Sequence, residues 1–140
     1  MRVVVAPNKA NLQPYDICCF LAGGITGCSD WQNEVIKELK RFDKLSNSQL
    51  DRLVVFNPRR EKFPDDPEAA KEQIEWEFKW LQRMEIFSMF FTDGESDQPI
   101  CLYELGRNLY KMMIRFPEDY PERIIITCDK NYKRAFDVKV

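Results

Sequence analysis

Hydrophobic residues in this chain come in short, dense runs separated by polar segments. The runs are Ile17-Cys18-Cys19-Phe20-Leu21-Ala22, Leu53-Val54-Val55-Phe56, positions 85–92 with Ile86, Phe87, Met89, Phe90 and Phe91, and positions 123–128 with Ile124-Ile125-Ile126. They are short and unbroken rather than alternating, which predicts strands buried on both faces. Pro14 before the first run and Gly23-Gly24 after it punctuate the chain as strand ends require. A further short edge strand is predicted over 3–6, ended by Pro7-Asn8-Lys9. Between the runs, apolar residues recur at spacings of three and four, which predicts helices. One covers 31–42, with Ser29 or Asp30 as its cap and Trp31, Val35, Ile36, Leu39 and Phe42 on one face. A second covers 67–84, with a stripe of Ile74, Phe78, Leu81 and Met84. A third runs from Pro99 to about residue 114, with Leu102, Leu105, Leu109, Met112 and Met113 on its apolar face. Pro99 suits a first helical turn, and Ser96, Asp97 or Gln98 lies at or just before the N-cap. Positions 43–52, 61–67, 117–122 and 130–133 read as loops or turns, and 135–140 as a last strand.

The resulting alternation, β-α-β-α-β-α-β with unbroken apolar strands, predicts an α/β fold. Its sheet is parallel and covered by helices on both faces, in a single domain over 1–140. Ligands of such sheets bind at the carboxyl ends of the strands. Here those ends are the loops 23–30, 57–67, 93–98 and 129–132, where the unusual residues of the chain concentrate.

Composition narrows the chemistry. The chain has no histidine, which removes histidine triads, histidine metal sites and histidine general bases. Its five cysteines, Cys18, Cys19, Cys28, Cys101 and Cys128, form no Cys-x-x-Cys pair and read as reduced thiols, mostly core, in a cytoplasmic protein. Basic and acidic residues number 21 and 23, for a net charge of -2, with no electrostatic footprint for nucleic acid. No apolar run is long enough to span a membrane, and the N-terminal stretch, broken by Pro7, is too short for a signal peptide. Acid–base work therefore falls to carboxylates, tyrosines or lysines.

Two carboxylates stand out. Glu104 falls about a turn and a half into the third helix, near the positive end of the helix dipole, where the ionised form is favoured. That suits a nucleophile or a stabiliser of a cation; the plainer reading is a surface pair with Arg107. Gly106 costs roughly 1 kcal/mol against alanine inside a helix, so a close approach of a neighbouring element or a ligand is expected there. Glu77 falls inside the apolar stripe of the second helix. Its helical neighbours, Gln73, Ile74, Trp80 and Leu81, include no cation. A carboxyl group against apolar surface has a raised pKa and suits a proton donor; the plainer reading is a stripe-edge residue that reaches water or a cation from another element.

Binding candidates flank these acids. Gly23-Gly24-Ile25-Thr26-Gly27 offers bare backbone to a ligand or is simply a tight turn. It is not a dinucleotide fingerprint, because Ala22 stands two before Gly24 and the second strand ends in Asn57 instead of an acid. Asn57-Pro58-Arg59-Arg60 brings an amide and two guanidinium groups to a strand end, for sugar hydroxyls, for a phosphate, or as a solvated turn. Trp31 offers a ring to stack on a base, whereas Phe87, Phe90 and Phe91 read as core.

In order and spacing, Phe20-Leu21-Ala22-Gly23-Gly24-Ile25, Asp30-Trp31-Gln32, Asn57-Pro58-Arg59-Arg60, Gln73-Ile74-Glu75-Trp76-Glu77 and the segment from Gln98-Pro99-Ile100 to Leu102-Tyr103-Glu104-Leu105-Gly106 resemble the nucleoside 2-deoxyribosyltransferase-like family, over residues 16–136. The resemblance implies a flavodoxin-like three-layer fold, with a mostly parallel five-stranded sheet and helices on both faces. It implies cleavage of the N-glycosidic bond of a (2-deoxy)nucleoside and transfer of the sugar to another base, with nucleotide hydrolysis in relatives. The expected partners are a small-molecule nucleoside or nucleotide, a nucleobase and further copies of the chain in a homo-oligomer; no cofactor and no metal are expected. By the same resemblance Glu104 is the nucleophile. Glu77 assists the leaving base, where the best-known transferases carry aspartate. Gln98 stands where the family has an acid that holds the sugar 5′-hydroxyl, so the chain departs from the pattern at the residue that reads the sugar. Gly23, Gly24, Asp30, Trp31, Asn57, Arg59 and Gln98 are the binding candidates. The oxocarbenium-like transition state of such a cleavage asks for one ionised and one protonated carboxyl group. The rival readings are an N-glycosidase that delivers the sugar to water, a module that binds a nucleotide-derived ligand without turnover, and a subunit whose site a neighbour completes.

Overall fold

The computed structural model describes residues 1–46, 50–62, 65–94 and 96–138. Five strands, β1 (Arg2–Val5), β2 (Ile17–Gly23), β3 (Leu53–Asn57), β4 (Ile86–Phe91) and β5 (Ile124–Cys128), form one all-parallel sheet in the order β1-β3-β2-β4-β5. Val3 pairs with Val55, Cys18 with Val54 and Phe87 with Ile124. The helices are α1 (Trp31–Leu45), α2 (Pro67–Leu81), α3 (Pro99–Arg115) and a short α4 (Ala135–Val138). From β2 the chain moves to β3 on one side, then returns to β4 on the other.

The chain divides into two compact units, Met1–Phe20 with Trp31–Glu85, and Leu21–Asp30 with Ile86–Val140. The first is centred on β3, whose Val54, Val55 and Phe56 are fully buried. The Phe56 ring stacks on Trp80 at 4.4 Å between centroids, and Trp76 packs against both Phe20 and Phe56 at 6.0 Å. In the second, Phe87, Met89 and Phe91 point into the core from β4, and Phe91 lies 5.3 Å from the ring of Tyr132.

Five of the six predicted strands are in place, and several boundaries and faces differ. The α2 helix stops at Leu81, three residues short of the expected end, and it is rotated. Ile74 and Phe78 face solvent, while Ala69, Gln73, Trp76 and Trp80 are buried. The two indole rings carry more apolar area than an isoleucine and a phenylalanine, so they decide which side turns inward. The α1 helix runs three residues past the expected end, to Leu45; it buries Trp31, Gln32 and Ile36 and leaves Val35 and Phe42 exposed. On α3 the buried residues are Cys101, Asn108 and Met112, and Met113 is exposed. The last predicted strand is instead the helix α4, where Arg134 pairs with Asp137 three residues on; positions 139–140 lie outside the described residues, as do 47–49, 63, 64 and 95 within expected loops. The 117–122 turn leads into a 3-10 turn at Tyr120–Arg123. As an edge strand, β5 exposes Ile125 and Thr127. No described helix is long and apolar enough to cross a membrane.

Candidate active site

In the first unit, two glutamines organise the carboxyl end of β3. Asn57 ends the strand, is 1% exposed, and accepts a hydrogen bond at Oδ1 from the Arg59 N–H at 2.9 Å. This Asx turn fixes the Asn57-Pro58-Arg59-Arg60 segment. Arg59 donates from Nε to Gln32 Oε1 at 2.9 Å. Arg60 donates from Nε to Gln73 Oε1 at 2.7 Å and pairs with Glu72 at 3.1 Å. Both arginines of the motif are therefore aimed by glutamines on helices, one on α1 and one on α2. Trp31 is buried in the core beside Gln32.

Gln73 also holds Glu77. Its Nε2 donates to Pro58 O at 2.7 Å and to Glu77 Oε1 at 2.6 Å. A prolyl carbonyl only accepts and an arginine Nε–H only donates, so the orientation of the Gln73 amide is fixed from both ends. Oε1 of Glu77 thereby serves as an acceptor, and a proton on this carboxyl group belongs on Oε2. Burial pushes the Glu77 carboxyl above its ordinary value of 4.5, against the Gln73 hydrogen bond and the Arg60 charge, which pull it down. The direction matches the sequence expectation, although a cation, Arg60 from the β3–α2 loop, does act on the group.

In the second unit, the loops after β2 and β4 meet at Gly24. A Cβ on Gly24 would stand 2.7 Å from both Cys28 Sγ and Gln98 Oε1, closer than packed atoms come. Gln98 is 4% exposed and donates from Nε2 to Thr92 O at 2.7 Å. Its Oε1 finds no donor among the described residues. The residue immediately precedes Pro99 and is left-handed, with φ 49° and ψ 52°. Non-glycine residues disfavour that region, and a following proline restricts it further. Tyr132 steadies the approach, donating from Oη to Asp97 O at 2.8 Å. Gln98 is thus the N-cap residue of α3 without a side-chain cap bond. Gly24→Ala is expected to push the Gln98 amide off the Thr92 carbonyl and to cost about 1–3 kcal/mol in urea denaturation. A variant as stable as the wild type would show that the contact yields.

Glu104 is partly buried in the second turn of α3, and its backbone carbonyl accepts from Asn108 Nδ2 at 2.9 Å. Gly23 and Asp30 bracket the loop after β2; Asp30 is exposed. Cys19, buried in β2, has its thiol pushed up to about 12 by burial and the neighbouring Cys18, so it offers no thiolate. Sequence reasoning missed Gln32, Gln73 and Tyr132 as organising residues. The available signal was a glutamine four residues before Glu77 and one beside Trp31, each a polar residue on a buried helix face.

The family model for nucleoside 2-deoxyribosyltransferase-like proteins matches residues 16–120. This span covers most of the 140 residues and contains every binding and catalytic candidate above. The chain belongs to that family. Among curated proteins no match is found.

Proposed function

We propose that the protein cleaves the N-glycosidic bond of a 2-deoxynucleoside and transfers the deoxyribosyl group to another nucleobase, in a nucleotide-salvage role. The family match over 16–120 carries this reading, and the chemistry of Glu77 supports it. Glu104 attacks C1′ of the sugar through a carboxylate oxygen. As the C1′–N bond breaks, its electron pair goes to the departing base, and the proton on Glu77 Oε2 neutralises that base. The sugar is then held as an ester of Glu104. A ring nitrogen of the second base attacks C1′, the ester bond breaks, the Glu104 carboxylate is restored, and the incoming base returns its proton to Glu77. Gln73 supports the first half-reaction by occupying Oε1 of Glu77, which leaves the proton on one defined oxygen. Asn57, Arg59, Gly23, Gly24, Asp30 and Gln98 are assigned to substrate binding, while Trp31, expected to stack on a base, is 6% exposed and packs in the core instead. The site needs no cofactor, since both steps exchange only a proton and a sugar.

Incubation with a deoxynucleoside and a different free base, followed by chromatography, tests the reading. A new deoxynucleoside is the expected product. Free deoxyribose in its place would make the enzyme a hydrolase, and no turnover across purine and pyrimidine deoxynucleosides and their 5′-monophosphates would overturn the catalytic reading.

A further inference from the structure

Two glycines expected at close approaches behave oppositely. Gly106 on α3 is exposed, and a Cβ there would meet nothing within 4 Å. Gly24 is buried, and the point where its Cβ would stand lies 2.7 Å from Cys28 Sγ and 2.7 Å from Gln98 Oε1. The sulfur and the amide oxygen therefore lie beside each other over the bare backbone of Gly24, no further apart than twice that distance. Gly94, from the loop after β4, lies against the same sulfur, 3.6 Å from the place of its own Cβ. All of these residues belong to the second unit. Cys28 is half-buried between the exposed Gly27 and Ser29, within reach of small solutes. Gln98 is 4% exposed, and its Oε1 finds no donor among the described residues. The Thr92 carbonyl takes a proton from Nε2, so the amide cannot turn its donor side toward the sulfur instead. A thiol has one proton, and Cys28 donates it to Thr26 O at 3.6 Å. A buried acceptor left without a donor is costly, and the reduced thiol leaves it so.

We propose that Cys28 is a site of reversible oxidation, where a peroxide converts the thiol to a sulfenic acid whose O–H is accepted by Gln98 Oε1. The thiol gives up its proton and the sulfur attacks one peroxide oxygen. The S–O bond forms as the O–O bond breaks, and the leaving hydroxide takes up the proton and departs as water. The sulfur loses two electrons and the peroxide gains them. The new oxygen enters the space over Gly24. A carbon at 2.7 Å from Oε1 is a clash, whereas a hydroxyl oxygen at that distance makes an ordinary hydrogen bond. The second proton acceptor the modified sulfur needs is thus already built, while the Thr26 carbonyl is released. The same bond occupies an amide assigned above to the substrate, so oxidation closes the site. That consequence rests on the proposed transfer reaction; the modification itself does not.

The full chain, treated with dilute hydrogen peroxide and trapped with dimedone, which marks sulfenic acids and not thiols, tests the modification without substrate. Cys18, Cys19 and Cys101 are buried, and Cys128, the other half-buried thiol, serves as the internal comparison. Digestion and mass spectrometry are expected to find the label on Cys28 ahead of Cys128, and to find none there after dithiothreitol. In Gln98→Leu the sulfenic acid should be shorter-lived by roughly threefold to tenfold, the worth of one hydrogen bond, with sulfinic acid rising in its place. Circular dichroism checks that this variant is folded, and the wild-type comparison of the two thiols decides the matter if it is not. Cys28 labelled no faster than Cys128 overturns the proposal, and an unchanged lifetime in a folded Gln98→Leu removes the amide from it. With a deoxynucleoside and a second base, transfer should fall in step with the label, recover with dithiothreitol, and persist under peroxide in Cys28→Ser. Full transfer by labelled protein would overturn the closing of the site, whereas absence of transfer before any oxidation bears on the catalytic reading alone.

Discussion

Glu104→Gln is expected to lower kcat for deoxyribosyl transfer by at least about 10⁴-fold, because it removes the nucleophile instead of weakening a contact. The amide is close in size to the carboxylate, and the side chain is only partly buried. The hydrogen bond from Asn108 goes to the backbone carbonyl of Glu104, which the substitution leaves intact. The urea midpoint and helical circular dichroism of the variant, measured alongside, separate lost chemistry from lost folding. A second readout separates the nucleophile from a carboxylate that only stabilises a cation. Without an acceptor base, the wild type should accumulate a deoxyribosyl ester visible by intact-protein mass spectrometry, mapping after digestion to the peptide that carries Glu104. Glu104→Gln should show none. Full activity in this variant, or an adduct on another residue, would remove Glu104 from the nucleophile role and with it the double-displacement scheme.

How far the sequence anticipated the molecule depends on whether a feature was local. The strands were legible because burial on both faces leaves an unbroken apolar run, and β2, β3 and β4 are such runs. The helix faces were less so. Counting apolar residues on α2 favoured Ile74 and Phe78, while the size of Trp76 and Trp80 and their contacts with Phe20 and Phe56 turned the helix the other way. Position 77 survived that rotation because it lies between the two stripes, so its burial was foreseen while the origin of that burial was not. The Arg60–Gln73–Glu77 chain joins a loop to a helix through tertiary contacts that no spacing encodes. The same holds for Gln98. A glutamine before a proline gives no sign of a left-handed backbone, which here is held in place by the Thr92 carbonyl and by Ser96 Oγ, the latter accepting the Gln98 N–H at 3.1 Å. Gly24 was legible as a place of close approach; that the approaching group is the Gln98 amide was not.

Glu77→Gln is expected to reduce transfer from an ordinary deoxynucleoside by about 10²–10⁴-fold, the usual contribution of a positioned proton donor. A deoxynucleoside whose base already carries a positive charge through ring methylation departs without a proton, and its cleavage should be nearly unaffected. Equal damage to both substrates would mean that Glu77 binds and does not protonate. The pH dependence follows from the direction of its pKa. The acid form is the active one, so wild-type activity should fall as pH rises through the raised Glu77 value, and this alkaline limb should vanish in Glu77→Gln. Gln73→Met removes a hydrogen bond that favours the ionised carboxylate and unties Arg60 from it, the two influences that pull the pKa down. The limb should therefore move to higher pH in that variant, and a limb that stays in place would show that Gln73 does not set the proton affinity of Glu77. Stability carries the same sign. A carboxyl group whose folded pKa lies above its unfolded value contributes fully below about 4.5, and that contribution is lost as pH rises through the folded value. The urea midpoint of Glu77→Gln should accordingly gain on the wild type as the solution is taken from acid to neutral. Parallel stability profiles would mean that burial does not hold this carboxyl group toward its neutral form, and the assignment of Glu77 as the acid would lose its physical basis.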